Sequence, residues 1–146
     1  MSSYTSSQAH PDLGTTIGIG ATPTVIGEVK TIKQSGRKTD TEEVTNMNST
    51  AKEFIPTIAD WGEWDVEGNL VSSDAGIIAV ETAFSSKAVS AFTIQRSKTA
   101  TQVTSGDKYT FNAIVTELDY NFDAVKAATF SLKLKVSGVV TFIAGT

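Results

Sequence analysis

Polar and apolar residues alternate most cleanly near the end of the chain. Phe130, Leu132, Leu134, Val136, Val140 and Phe142 interleave with Thr129, Ser131, Lys133, Lys135, Ser137 and Thr141. A period of two predicts one strand over 129–142, buried on one face and wet on the other. The same period runs through 61–71, where Trp64, Val66, Gly68 and Leu70 share a face and Glu63, Asp65 and Glu67 share the opposite one. Shorter runs predict strands over 24–33, 89–96 and 107–118, the last with Tyr109, Phe111, Ala113 and Val115 on one side.

Helical spacing occurs once. Ile77, Val80 and Phe84 form an apolar stripe after Ser72-Ser73-Asp74, which predicts a helix over 73–86 capped by Ser72 or Ser73 with Asp74 in its first turn. Residues 1–20, rich in Ser, Thr and Gly, carry no period and read as an arm. Residues 34–60 read as a long polar loop between two strands. A structureless connection of that length is uncommon in a compact domain unless it serves a function or folds against something else. The expected fold is therefore a single mainly β domain over 1–146: an antiparallel sandwich or barrel-like sheet, one flanking helix and one long inter-strand loop.

Composition narrows the function classes. A chain of 146 residues, 40% hydrophobic and 19% charged, is ordinary globular material with enough length for one core. It has no cysteine, which removes disulfides, thiolate nucleophiles and cysteine metal sites together. The net charge of −4 is poorly suited to binding nucleic-acid phosphates. The N-terminus lacks the basic and apolar regions of a secretory leader, and no apolar run reaches the length of a bilayer span.

Candidate chemistry is sparse. His10, the sole histidine, lies in the arm beside Pro11 with no fixed partner for acid–base or metal work. Gly14, Gly18 and Gly20 lack the downstream lysine and helix of a phosphate loop. Asp74 and Asp119 fit capping and turn roles at element ends. Glu63, Asp65 and Glu67 form either a solvated strand face or the lining of a wet cavity, because a hard-cation site needs a loop to wrap oxygens round the ion. Trp61 and Trp64 are packing anchors, with core and interface both open for one of them. Neither a catalytic group nor a cofactor or metal site is nominated.

The order of features adds a further indication. The strand Thr24–Lys33 precedes a polar loop with Arg37, Asp40, Glu42 and Glu43. Ala51-Lys52-Glu53-Phe54-Ile55-Pro56 then leads to Ala59-Asp60-Trp61-Gly62, and a strand ends near Gly68-Asn69 ahead of a helix opening at Asp74-Ala75-Gly76. The chain closes with Leu134-Lys135-Val136-Ser137-Gly138. Over roughly residues 24–142 this resembles the major tail tube proteins of long, non-contractile phage tails, a superfamily shared with contractile-tail and type VI secretion tubes.

The resemblance implies a structural virion protein of the tail, made in the bacterial host cytoplasm. Hexameric rings stack into a tube, with strands lent to a continuous inner barrel, a tape-measure protein and tip and terminator proteins as partners, and double-stranded DNA in transit. It also implies that the long loop and the arm order on assembly, so Arg37, Asp40, Glu42, Glu43, Phe54, Ile55, Ile58 and Trp61 are expected at subunit or ring contacts. Glu63, Asp65 and Glu67 are candidates for the lumen, where carboxylates would repel phosphates; the outer surface of the tail is the alternative. Many relatives carry an added immunoglobulin-like domain for which this chain leaves no room, so a smooth tube is expected. A tube of a contractile or secretion machine, and a monomeric β-sandwich binding module, remain the rival readings.

Overall fold

The computed structural model describes residues 13–99 and 102–146. Its elements in chain order are β1 (Thr16–Ile19), β2 (Thr24–Val25), β3 (Val29–Ser35), β4 (Lys38–Glu43), β5 (Phe54–Asp60), β6 (Glu63–Asn69), α1 (Ala75–Ser86), β7 (Ser90–Gln95), β8 (Lys108–Asn121), β9 (Thr129–Val136) and β10 (Thr141–Ile143). One antiparallel sheet runs β2-β1-β7-β8-β9-β6-β3, with β10 added beside β8; β4 and β5 form a separate two-stranded sheet. The sheet is open, with no pairing between β3 and β2.

The long strand β8 does two jobs. Its first half pairs with β7 through Ala113 and with β10 at 108–110, while its second half, from Ala113 to Asn121, pairs with β9. A bulge between Val115 and Glu117 lies in that second half. Such an extra residue bends a strand and raises its twist. The sheet curls so that inward side chains from its distant strands meet: Trp64 of β6 stacks on Phe111 of β8 with centroids 5.3 Å apart, and Phe111 on Phe92 of β7 at 5.8 Å. Ile17, Ile19, Val66, Leu132 and Leu134 complete this core.

Helix α1 covers the core side and contacts β8, β2 and β1. Asp74 is its N-cap: one carboxylate oxygen accepts the Ile77 amide and that of Gly27, both at 3.2 Å, which ties the β2–β3 turn to the helix. The expected serine caps are thus replaced by Asp74, with Ser73 left at a positive φ of 61°. The buried helix residues are Gly76, Ile77, Val80 and Ala83. A Cβ at Gly76 would stand 2.6 Å from the Ile26 backbone. Contact that close runs along small side chains, so Phe84 falls outside it and is 44% exposed rather than part of the apolar stripe.

Four further expectations are corrected. The stretch 34–60 is not a loop: β4 and β5 pair as an antiparallel hairpin. Part of the expected arm is a core strand, because β1 pairs with β7 and buries Ile17 and Ile19; residues 1–12, with His10, lie outside the described residues. The first expected strand is two, since Glu28 at φ 51° breaks it between β2 and β3. The final one is also two, interrupted at Gly138 with φ 93°, and Phe142 emerges 54% exposed. No helix among the described residues is long and apolar enough to cross a membrane.

Candidate assembly surfaces

Strands β3 and β6 pair along their whole length and end at Ser35 opposite Glu63. The hairpin β4–β5 continues beyond them as a ribbon, but only after a kink at Gly36 and Gly62, both with φ 80°. Only glycine adopts that conformation readily. The space differs at the two positions: a Cβ on Gly36 would meet nothing closer than the Gly62 Cα at 3.6 Å, whereas one on Gly62 would lie 2.1 Å from the Ser35 carbonyl oxygen.

The kink is tied down from several sides. Asp60 accepts the Gly62 amide at 2.8 Å and pairs with the Lys135 ammonium at 3.1 Å. The Gly62 amide first, and Lys135 second, hold the Asp60 carboxyl below the ordinary carboxylate range. The Gly62 carbonyl accepts the Val136 amide at 3.1 Å, and the Gln34 amide group donates to the Trp61 carbonyl at 3.3 Å. Arg37 lies over the Trp61 ring, 5.5 Å from its centroid.

Beyond its root the ribbon pairs with no strand other than its own partner among the described residues. Asp40, Glu42 and Glu43 stand exposed on β4, and Phe54, Ile55 and Ile58 stand exposed on β5, with Ile58 at 90%. Its tip is ordered by local bonds, Val44 amide to Glu53 carbonyl at 2.8 Å and Asn48 amide to the Asn46 side chain at 2.9 Å. A two-stranded hairpin wet on both faces is marginal alone. At its root, Ile58, Trp61, Val136 and Val139 line an apolar groove.

The second surface is the outer face of the block β3-β6-β9-β8. Ladder partners place Lys33, Asp65, Lys133 and Glu117 in one row across it. Ser35, Glu63, Lys135 and Ile114 form the row on one side, and Thr31, Glu67, Ser131 and Asp119 the row on the other. Asp119 is thus an interior strand residue, not the turn residue expected of it. Glu63, Asp65 and Glu67 do share a face, as their spacing predicts, but Lys33, Lys133 and Lys135 share it with them. Trp64, on the opposite side of β6, is core, while Trp61 is half-buried at the kink. The glycine pair bracketing the ribbon escapes sequence reasoning, although Ser35-Gly36 and Trp61-Gly62 were its visible signal. The row of alternating charge escapes it too, because register is needed to see it.

Two edges of this block are open. Beyond β3 no strand follows, and β7 stops pairing at Ala113, leaving residues 114–121 of β8 unpaired on the flank away from β9 among the described residues.

Solved structures with this fold include chains of virion tails and of contractile injection systems. A chain of the gene transfer agent virion aligns with a TM-score of 0.68 at 16% identity, covering 93% of this chain and 100% of that one. A chain from the SPP1 tail tube gives 0.64 at 17%, covering 93% and 80%. One from the sheath–tube complex of the extracellular contractile injection system PVC gives 0.68 at 14%, covering 92% and 90%. No curated protein matches the chain by sequence. The family model of the phage tail tube protein matches residues 23–142, and the chain belongs to that family.

Proposed function

We propose that this tail tube protein assembles as rings of six copies stacked into a hollow tail tube, a structural conduit for double-stranded DNA with no catalytic role of its own. The pair of open edges on the four-stranded block carries this reading. Strand edges of that length invite pairing, and neighbouring copies satisfy them by continuing the sheet round a ring. The ribbon supplies the contact between rings: Phe54, Ile55 and Ile58 bury against the adjacent ring, while Asp40, Glu42 and Glu43 keep the free subunit soluble. Arg37 and Trp61 set the angle at which it leaves the sheet. The outer face of the block lines the bore, where Glu63, Asp65 and Glu67, with Glu117 and Asp119, outnumber the lysines Lys33, Lys133 and Lys135. Tape-measure, tip and terminator proteins complete the set of partners.

The test is negative-stain electron microscopy of the purified chain beside a variant in which residues 36–62 are replaced by Asn-Gly. Ser35 and Glu63 are ladder partners, so a two-residue turn closes that hairpin without altering β3 or β6. The full chain is expected to give hollow tubes or six-fold rings, and the shortened one folded subunits without tubes. Tubes of normal length from the shortened chain would remove the ribbon from the contact between rings. Small particles from the full chain at every concentration, even with tube fragments added, would refute self-assembly.

A further inference from the structure

The open edges explain that copies pair but not which edge meets which. Strand directions within the block alternate at each of its antiparallel ladders, so β3 and β8, separated by β6 and β9, run in opposite senses. Three joints are therefore geometrically open to antiparallel pairing: β8 with the next copy's β3, β8 with β8, and β3 with β3. The first is head-to-tail and closes rings; the other two are self-complementary and stop at dimers.

Charge distinguishes them. Where the four strands of the block lie side by side, each carries one sign on the outer face. β3 presents Lys33, β6 presents Glu63, Asp65 and Glu67, β9 presents Lys133 and Lys135, and β8 presents Glu117 and Asp119. Lys33, Glu117 and Asp119 are exposed and flank the open edges. We propose that this alternation selects the joint: Lys33 of one copy meets Glu117 and Asp119 of the next, and like-edge pairing is rejected because it sets carboxylate on carboxylate or lysine on lysine. Opposite charges across a strand pair stabilise it and like charges directly opposite destabilise it. Specificity of this kind rests as much on the repulsion built into wrong pairs as on attraction in the right one. An even number of strands per copy lets both the direction and the sign continue unbroken round a closed ring.

This rests on the ring-and-tube reading, and two experiments separate it from that reading. In the first, Lys33→Glu and the pair Glu117→Lys/Asp119→Lys are each expected to raise the critical concentration for tubes at least about tenfold at low salt, since every joint of the ring turns repulsive. Combining all three substitutions restores tubes, and salt of about 1 M, which shortens the screening length to roughly 3 Å, narrows the defect of the partial variants. Lys33→Glu also faces Asp65, and Glu117→Lys faces Lys133, within the subunit, so thermal unfolding followed by circular dichroism first confirms that each variant is folded at the assay temperature. Partial variants that polymerise like the natural chain, or a combined variant no better than they are, overturn the proposal.

In the second, cysteines are placed in a chain that has none of its own. Lys33→Cys with Glu117→Cys, or with Asp119→Cys, is expected to give disulfide-linked ladders on oxidation, and each cysteine alone to give none. Dimers from a single cysteine reveal like-edge pairing and overturn the proposal. Ladders without tubes defeat the tube reading and leave the joint standing; tubes without ladders do the reverse.

Discussion

Adding one methyl group at Gly62 should cost far more than adding one at Gly36, although both residues share a φ of 80°. A left-handed backbone charges any L-residue with a Cβ about 1–2 kcal/mol. Gly36→Ala pays that and little else, because its Cβ meets only the Gly62 Cα at an ordinary 3.6 Å. Gly62→Ala adds a collision with the Ser35 carbonyl at 2.1 Å, with the Gln34 amide nitrogen at 2.8 Å and with the Arg37 amide at 3.0 Å. Two of these are backbone atoms and cannot rotate aside, so a further overpacking cost of roughly 1–3 kcal/mol follows.

The expected totals are about 1–2 kcal/mol for Gly36→Ala and about 2–5 kcal/mol for Gly62→Ala. In a domain of this size each kcal/mol lowers Tm by roughly 4 °C, which places the two variants several degrees apart. Thermal unfolding followed by circular dichroism measures the gap, and electron microscopy shows whether tubes survive. The ribbon should leave the sheet at a changed angle in Gly62→Ala, and tubes should fail even where the subunit is still folded. Equal Tm losses in the two variants, or normal tubes from Gly62→Ala, would refute the geometry of the kink.

The root of the ribbon should also respond to acid. Because the Asp60 carboxyl is held below its ordinary value of 3.8, the stabilisation it gives is complete above that value and is lost only as pH falls through the lower, folded-state pKa. Fluorescence of Trp61 and amide exchange in β4 and β5 should stay constant through neutral and mildly acidic pH, then change below about 3.8, and Asp60→Asn should abolish the change. A transition well above that pH, or one retained in Asp60→Asn, contradicts the assignment. For the bore, Glu63→Gln, Asp65→Asn and Glu67→Gln together leave Lys33, Lys133 and Lys135 on that face with Glu117 and Asp119 as its remaining acids, Lys135 still paired with Asp60 at its end. Particles built with that variant should have intact tails and slowed DNA release; unchanged release would place these acids outside the bore.

What could be read from the sequence follows burial. β6, β7, β8 and β9 each press one face on the core, and that constraint writes a period of two into Trp64–Val66, Phe92–Ile94, Phe111–Ala113–Val115 and Phe130–Leu132–Leu134. The ribbon carries no such constraint. β4, reading Lys-Thr-Asp-Thr-Glu-Glu, has no apolar residue, and Pro56 in β5 argues against a strand. Its pairing is visible only in the folded chain. β1 is too short and too glycine-flanked for Ile17 and Ile19 to register as a pattern, yet both are buried. On the outer face, the spacing of Glu63, Asp65 and Glu67 was legible because it lies within one strand. Their lysine neighbours come from strands far apart in sequence, and only the ladder register brings them alongside.

Strand β8 has a mechanical consequence. Lys108–Asn121 is one strand, paired with β7 and β10 over its first half and, over its second, with β9 on one flank while the other flank is left unpaired among the described residues. Under the proposed ring assembly, sliding of one copy against the next along the strands loads that joint in shear, so its ladder of hydrogen bonds shares the force instead of opening one rung at a time. The Tyr120 hydroxyl, bonded to Glu81 at 2.6 Å, braces the far end of the strand against α1. Under the proposed assembly, load taken up at this strand passes along covalent backbone into the subunit's core, and bending would fall to the glycine kinks at the root of the ribbon.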